Sequence, residues 1–425
     1  MRILFAVNPG TTIFNNVVPL AWALRTAGHE VRVASQPLFA DEITQAGLTA
    51  VGVGRSLGIP RLLAAQGSTE DSLEEARRGL PPPYSVVEEP DGLGWEGSMM
   101  AWHYTVEHGK FETFAIASGL VEFARHWEPD LVIWEPFTPA GAIAAKACGA
   151  AHARLLYGVD VFGLSRQHYL RLQAEQEPEH RGDPLGAWLG GYARKYGGEF
   201  TEDMVTGHFT IDQIPRSLQV EADDLTYARM QYIPYGGPAV VPKWLHAPPA
   251  RPRVALTLGT SATEHFAGYT VSVADILDQL SDLDIEVVAT ISEAEQQKLG
   301  RVPDNARLVS WVPMHALAPT CSVAINHAGI GTLSNFTRYA VPQLTMGYHF
   351  DEPMLGRKLA ELGAGLDLDT SQATGANVRE CVRRLLDEPS FRHGANALRD
   401  EIYALPTPNE LVGQIEELTT KHRTR

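Results

Sequence analysis

The chain has 425 residues, is 44% hydrophobic and 20% charged, and carries a formal net charge of −16. A single core stops growing at roughly 250–300 residues, so two domains of about 200 residues each are expected. The acidic balance argues against nucleic acid or an anionic membrane as a partner. No apolar stretch approaches the roughly 18 residues that cross a bilayer, and the run Met1–Val7 is too short for a secretory leader. Arg2–Val7 reads as a buried strand closed by Asn8–Pro9–Gly10. A helix from about Asn16 to Ala27 follows, then a strand at Glu30–Ser35, which makes a βαβ unit and a parallel sheet. Residues 55–115 are rich in Gly, Pro, Glu and Ser and read as an excursion of loops and helices. The alternation resumes with a helix at 111–126, a strand at Leu131–Trp134, a helix at 138–148 and a strand at Ala153–Tyr157. An irregular helical region covers about 160–215.

Pro and Gly concentrate in 234–252, as in a linker. The expected division is therefore a first domain at 1–233, the linker, a second domain at 253–405 and a last helix over 406–425. Strands of the second domain are read at Arg253–Leu258, Ile285–Ile291, Ala306–Ser310, Ser322–Asn326 and Gln343–Met346. The cysteines Cys148, Cys321 and Cys381 are few and far apart, which suits reduced thiols in a cytoplasmic protein.

The strongest local signal is Ser322–Phe336, a strand, a glycine-containing turn and a helix. Gly329 and Gly331 let the backbone approach a ligand, and the helix N-terminus with its unpaired N–H groups favours an anion. His327 and Thr332 add side-chain donors. The same turn reads as GxGxxS, and Asp351–Glu352 lies about 20 residues on, so nicotinamide binding is the competing reading. It lacks the third glycine and sits on the fourth strand of its domain. Gly259–Thr260–Ser261 is a second small-residue loop that could face the same ligand. Trp311, followed by Val312 and Pro313, can offer a flat face to a nucleobase. Structural turns and a core tryptophan are the plain alternatives for each piece.

These pieces stand in the order used by the nucleotide-sugar half of GT-B glycosyltransferases. With Val18–Val31, Pro129–Phe137, Trp311–Met314, His327–Gly329 and Gly347–Glu352, the chain resembles actinobacterial antibiotic glycosyltransferases. Within them it looks most like those that attach deoxysugars to macrolide and aromatic polyketide aglycones. The resemblance implies an α/β GT-B fold, two Rossmann-like domains facing each other across a cleft. It implies a TDP-deoxysugar donor and a hydrophobic aglycone as substrates, no cofactor and no metal, and inversion at the anomeric carbon. It places Trp311 and Val312 at the base, Thr260, Ser261, His327, Gly329, Gly331 and Thr332 at the diphosphate, and Asp351 and Glu352 at the sugar. A P450-like auxiliary protein, contacting the 55–115 excursion, and a second copy of the chain are the macromolecular partners it implies.

The acceptor side departs from the family. Its members commonly carry a His in the loop after the first strand, held by an Asp. Counting back from Pro19–Leu20 puts Ile13 at the His position, and counting back from Leu120–Phe123 puts Phe114 at the Asp position. The loop Asn8–Asn16, which includes Thr12, has no ionisable group, yet its position makes Asn8, Thr12 and Ile13 acceptor-binding candidates. A base must then come from elsewhere, with Glu135, His103, His108 and Glu112 as candidates in that order. Two alternatives stay open: an acceptor that needs no strong base, and a helper chain that binds without catalysing.

Overall fold

The computed structural model describes residues 1–57, 79–259 and 269–424. They divide into two compact units. The first holds residues 1–57, 81–237 and the tail from Leu405. The second holds Pro238–Ala404 with Gly79 and Leu80, although the sequence reading keeps 1–233 together. Gly79 forms a parallel bridge with His349, which ties it to the second unit.

The first unit opens with β1 (Arg2–Ala6), α1 (Thr11–Thr26), β2 (Glu30–Ser35), α2 (Ala40–Gln45) and β3 (Ala50–Gly52). Next come α3 (Trp95–Trp127), β4 (Leu131–Trp134), α4 (Ala140–Cys148) and β5 (Ala151–Leu155). Helices α5 (Val161–Ala174), α6 (Pro184–Lys195) and α7 (Asp203–Thr206) lead to β6 (Phe209–Asp212) and β7 (Tyr227–Arg229). The seven strands lie in the order β3-β2-β1-β4-β5-β6-β7, and every pair is parallel.

Side chains alternate faces along a strand, and both faces of this sheet are covered. Ile3 and Phe5 of β1 join Leu20, Leu24, Val33 and Ile133 on one face. Leu4 and Ala6 join Leu120, Val132, Trp134 and Ile143 on the other. That two-sided burial is why β1 and β4 read as unbroken apolar runs.

Four elements differ from expectation. Helix α1 starts at Thr11, five residues before the expected Asn16, with extended Gly10 as its N-cap. Thr12 and Ile13 therefore lie on a helical turn and not in a loop; Asn16 Nδ2 bonds the Thr12 carbonyl at 2.7 Å. Helix α3 begins at Trp95, not near 111, and runs 33 residues. Strand β6 emerges from the 160–215 stretch read as irregular and helical, and β7 from a following stretch with no expected element; each has only three or four residues, too few to display a period.

The second unit contains β8 (Arg253–Thr257), α8 (Val273–Gln279), β9 (Glu286–Thr290), β10 (Ala306–Val309) and β11 (Val323–Asn326). After β11 come α9 (Ile330–Thr337), β12 (Gln343–Thr345), α10 (Glu352–Glu361) and β13 (Gly365–Asp367). Helices α11 (Gly375–Asp387) and α12 (Pro389–Ala404) close the unit. Its six parallel strands run β10-β9-β8-β11-β12-β13.

The final helix, α13 (Pro408–His422), belongs to the first unit. Thr407 and Glu410 form a capping box at its start. Leu411 and Ile415 enter the core beside α1. Gln231 fastens the entry, donating from its backbone to Pro406 O and from Nε2 to Leu405 O. Among the described residues, no helix is long and apolar enough to cross a membrane.

Candidate functional site

In an open parallel sheet, ligands gather at the carboxyl ends of the strands where the strand order reverses. In the second unit that point lies between β8 and β11, which are adjacent. The turn His327–Gly329 follows β11 there, and Leu258–Gly259 follows β8. Ala328 takes a left-handed conformation, φ 62°, which is unfavourable for a residue with a Cβ. Asn326 supports it: Oδ1 accepts the Ala328 N–H at 2.8 Å, and Nδ2 donates to Gln343 Oε1 at 2.8 Å.

The His327 ring is wedged between two glycines. A Cβ at Gly259 would stand 2.6 Å from the ring, and one at Gly329 would stand 2.3 Å from it. Both positions therefore need glycine for close approach, and Gly259 also has φ +73°. Burial pushes the His327 imidazole down to about 4, so it is neutral at physiological pH.

Helix α9 begins at once after this turn. Its N-cap, Gly329, supplies no side-chain cap, so the N–H groups of Ile330, Gly331 and Thr332 keep the orphan status of a helix start. With the helix dipole they make a seat for an anion. Thr332 and Gly331 are half-buried at this end.

Glu352 and Asp351 stand after β12, the neighbour of β11. Glu352 is buried, and its Oε2 accepts the backbone N–H groups of Tyr348 at 3.3 Å and His349 at 3.1 Å. Its Oε1 lies 3.8 Å from His327 Nε2. Burial and the Asp351 charge raise the Glu352 carboxyl to about 8, so it is neutral at pH 7. Asp351 is half-buried at the N-cap of α10. Glu352 thus shapes the turn at 347–352 and borders His327. Trp311 follows β10 and is 50% exposed, whereas Val312 beside it is buried. Thr260 and Ser261 lie outside the described residues.

In the first unit the strand order reverses between β1 and β4. A small pocket with about 10 Å³ of free space opens there, lined by Asn8, Gln36, Thr113, Ile116, Phe137 and Thr138 among others. Glu135, directly after β4, is buried next to them. Its Oε1 accepts from Asn8 N at 3.0 Å and from the Thr138 hydroxyl, and its Oε2 accepts from Phe137 N at 2.8 Å. One carboxylate therefore fixes three residues of the pocket wall. That is a positioning task, different from the acceptor base expected of Glu135: each oxygen is already committed to a backbone N–H.

His103 and His108 are exposed on α3, and His108 Nδ1 pairs with Tyr104 O at 3.0 Å. Neither lines the pocket. The side chain of Glu112 lies outside the described residues. Thr12 is exposed and Ile13 half-buried on the first turn of α1. Phe114 is 67% exposed, with the Arg55 guanidinium 5.9 Å from its ring.

One cluster escaped the sequence reading. His152, Asp203 and His208 place ligand-type atoms within 4.8 Å of one another. Trp134 Nε1–H donates to His152 Nδ1 at 3.2 Å, and His152 N–H donates to His208 Nδ1 at 3.1 Å. Both Nδ1 atoms are acceptors, so the rings carry their protons on Nε2, facing Asp203. His152 Nε2 donates to Asp203 Oδ2 at 2.9 Å, and Lys146 Nζ reaches the same oxygen at 3.3 Å. The donor set is thus engaged as a hydrogen-bonded lock. The His422 ring of α13 stacks on His208 at 4.8 Å, which extends the lock to the last helix. The members lie up to 270 residues apart, counting from 152 to 422, so no local spacing signals them.

Comparison with known proteins bears out the resemblance read from the sequence. The N-terminal domain model of the Erythromycin biosynthesis protein CIII-like family matches residues 22–259, and its C-terminal domain model matches 274–418. The chain is 43% identical to a 10-deoxymethynolide desosaminyltransferase of Streptomyces venezuelae, covering 100% of this chain and 98% of that one. It is 43% identical to an aklavinone 7-beta-L-rhodosaminyltransferase of Streptomyces galilaeus, covering 100% and 97%. Among solved structures, the glycosyltransferase VinC in complex with dTDP superimposes with a TM-score of 0.87 at 37% identity, covering 99% of this chain and 100% of that one. The chain therefore has the GT-B fold and belongs to the Erythromycin biosynthesis protein CIII-like family of glycosyltransferases.

Proposed function

We propose that this enzyme moves a deoxysugar from a TDP-sugar to a polyketide-type aglycone, with inversion at the anomeric carbon. The observation that carries the reading is the His327 turn: a glycine-flanked ring and an uncapped helix start at the strand-order reversal of the second sheet. The diphosphate sits on the first N–H groups of α9 with His327 alongside. These donors stabilise the charge that develops on the departing TDP, as a preorganised oxyanion site does, without a metal. Trp311 offers its exposed face to the thymine, and Asp351 is the carboxylate within reach of sugar hydroxyls. Direct in-line displacement by the acceptor then inverts the centre. Relatives named for desosaminyl and rhodosaminyl transfer support the donor class.

A protein partner of the P450-like auxiliary kind docks on α3. Met100, Tyr104, Phe111 and Phe114 are all exposed, and their spacing puts them on one face of that helix.

Purified enzyme given TDP-desosamine with 10-deoxymethynolide, or TDP-rhodosamine with aklavinone, tests the reading. Glycosylated product should form, with or without an added auxiliary protein. TDP binding with no turnover under any of these conditions would instead support the non-catalytic helper reading, which the absence of an ionisable group in Asn8–Asn16 favours.

A further inference from the structure

The pocket of the first unit contains a hydroxyl that the fold itself does not use. Thr113 is 2% exposed, lines the pocket, and its Oγ1 has no hydrogen-bond partner. This is unusual for a helical threonine, whose hydroxyl ordinarily bonds the carbonyl one turn back. The same chain shows the ordinary behaviour elsewhere. Thr337 bonds Leu333 O at 2.8 Å and Thr419 bonds Ile415 O at 2.7 Å. Thr113 leaves that bond unmade.

The surroundings point to a ligand. Three strand ends converge on the pocket: Asn8 after β1, Gln36 after β2, and Phe137 with Thr138 after β4. Glu135 holds Asn8, Phe137 and Thr138 in place through its two oxygens, so the wall is preorganised. Ile116 lies one helical turn from Thr113, and with Phe137 it supplies apolar lining. With about 10 Å³ of free space the pocket admits one hydroxyl and no ring, so a ligand reaches Thr113 through a hydroxyl on its edge while its body stays outside.

We infer that Thr113 Oγ1 hydrogen-bonds the hydroxyl-bearing edge of the acceptor aglycone, in a pocket that Glu135 positions. This inference rests on the glycosyl-transfer reading above. Thr113 takes no proton from the acceptor; it accepts or donates one hydrogen bond and so orients the alcohol. Glu135 acts through the wall and does not touch the acceptor.

Two substitutions decide the matter. Thr113→Val keeps the shape and removes the hydroxyl, whereas Thr113→Ser keeps the hydroxyl. Calorimetric titration with aklavinone and with 10-deoxymethynolide reads the acceptor side, and titration with TDP reads the donor side. T113V should bind the aglycones roughly 3- to 10-fold more weakly than the parent. Its TDP affinity should be unchanged, and without ligand it should melt at a higher temperature because a buried orphan hydroxyl is gone. T113S should match the parent. The inference is overturned if T113V binds aglycone as the parent does, or if TDP affinity falls in parallel. It is equally overturned if the parent binds TDP but neither aglycone. A parent that binds aglycone but not TDP would remove the donor reading and leave the Thr113 comparison intact.

Discussion

Glu352 is buried beside the proposed donor site, whereas its neighbour Asp351 is half-buried. Glu352 is held neutral at pH 7 by burial, 3.8 Å from the His327 ring. A diphosphate bound beside that ring, as proposed, would repel the ionised carboxylate, so binding would favour the neutral form. The sign follows: TDP affinity should be constant below pH 7 and should weaken as pH rises through about 8. Glu352→Gln keeps an acceptor for Tyr348 and His349 and has no charge to gain, so its profile should be flat. Calorimetric TDP titrations at pH 6.5, 7.5 and 9 check this; parallel losses in both proteins would contradict it. The His327 turn was legible in the sequence because a strand, two glycines and a helix start are local features. The inward turn of Glu352 was not, since it depends on two backbone N–H groups presented by a folded loop. Glu135 was legible as a buried strand-end carboxylate but not in its task, which only the positions of Asn8, Phe137 and Thr138 define. Thr113 gave no signal at all, because an unmade hydrogen bond has no pattern.

At the scale of elements, the parallel strands were legible wherever two-sided burial wrote them as apolar runs. Helix ends were less so. The α1 start depends on the extended Gly10, and the upper half of α3 is masked by glycines at 97 and 109. Short strands such as β13 carry three residues and no period. The last helix, α13, is a firm element despite its place at the chain end, because Leu411 and Ile415 complete the first unit's core. Ile415 is fully buried, so Ile415→Ala should cost about 2–5 kcal/mol. Urea unfolding should show that loss in the first unit's transition and leave the second unit's midpoint in place.

The molecule as a whole is acidic, yet its buried histidines set its lower pH limit. Burial, helped by the His152 charge, pushes His208 down to about 4, and burial also lowers His152, His422 and His327. Their unfolded value is 6.5, so protonation favours the unfolded chain. The stability they contribute is complete above pH 6.5 and is lost as pH falls from 6.5 toward 4. Melting temperature should decline across that window, and His208→Asn should make the decline shallower. Circular dichroism melts in half-unit pH steps would show it; an unchanged melting temperature down to pH 4.5 would contradict it. The family was legible from whole-chain motifs, whereas the histidine lock was not, because it joins β5, α7 and α13 only after folding.

Every donor-side role proposed above depends on the His327 turn binding the diphosphate of a TDP-sugar. Calorimetric titration of the parent protein and of His327→Ala with TDP, with NAD as the control, tests it most directly. The parent should bind TDP saturably and NAD not at all, and His327→Ala should lose at least ~10-fold in TDP affinity, as for a lost hydrogen bond to a charged group. Binding of NAD in place of TDP, or equal TDP affinity in the two proteins, would contradict it.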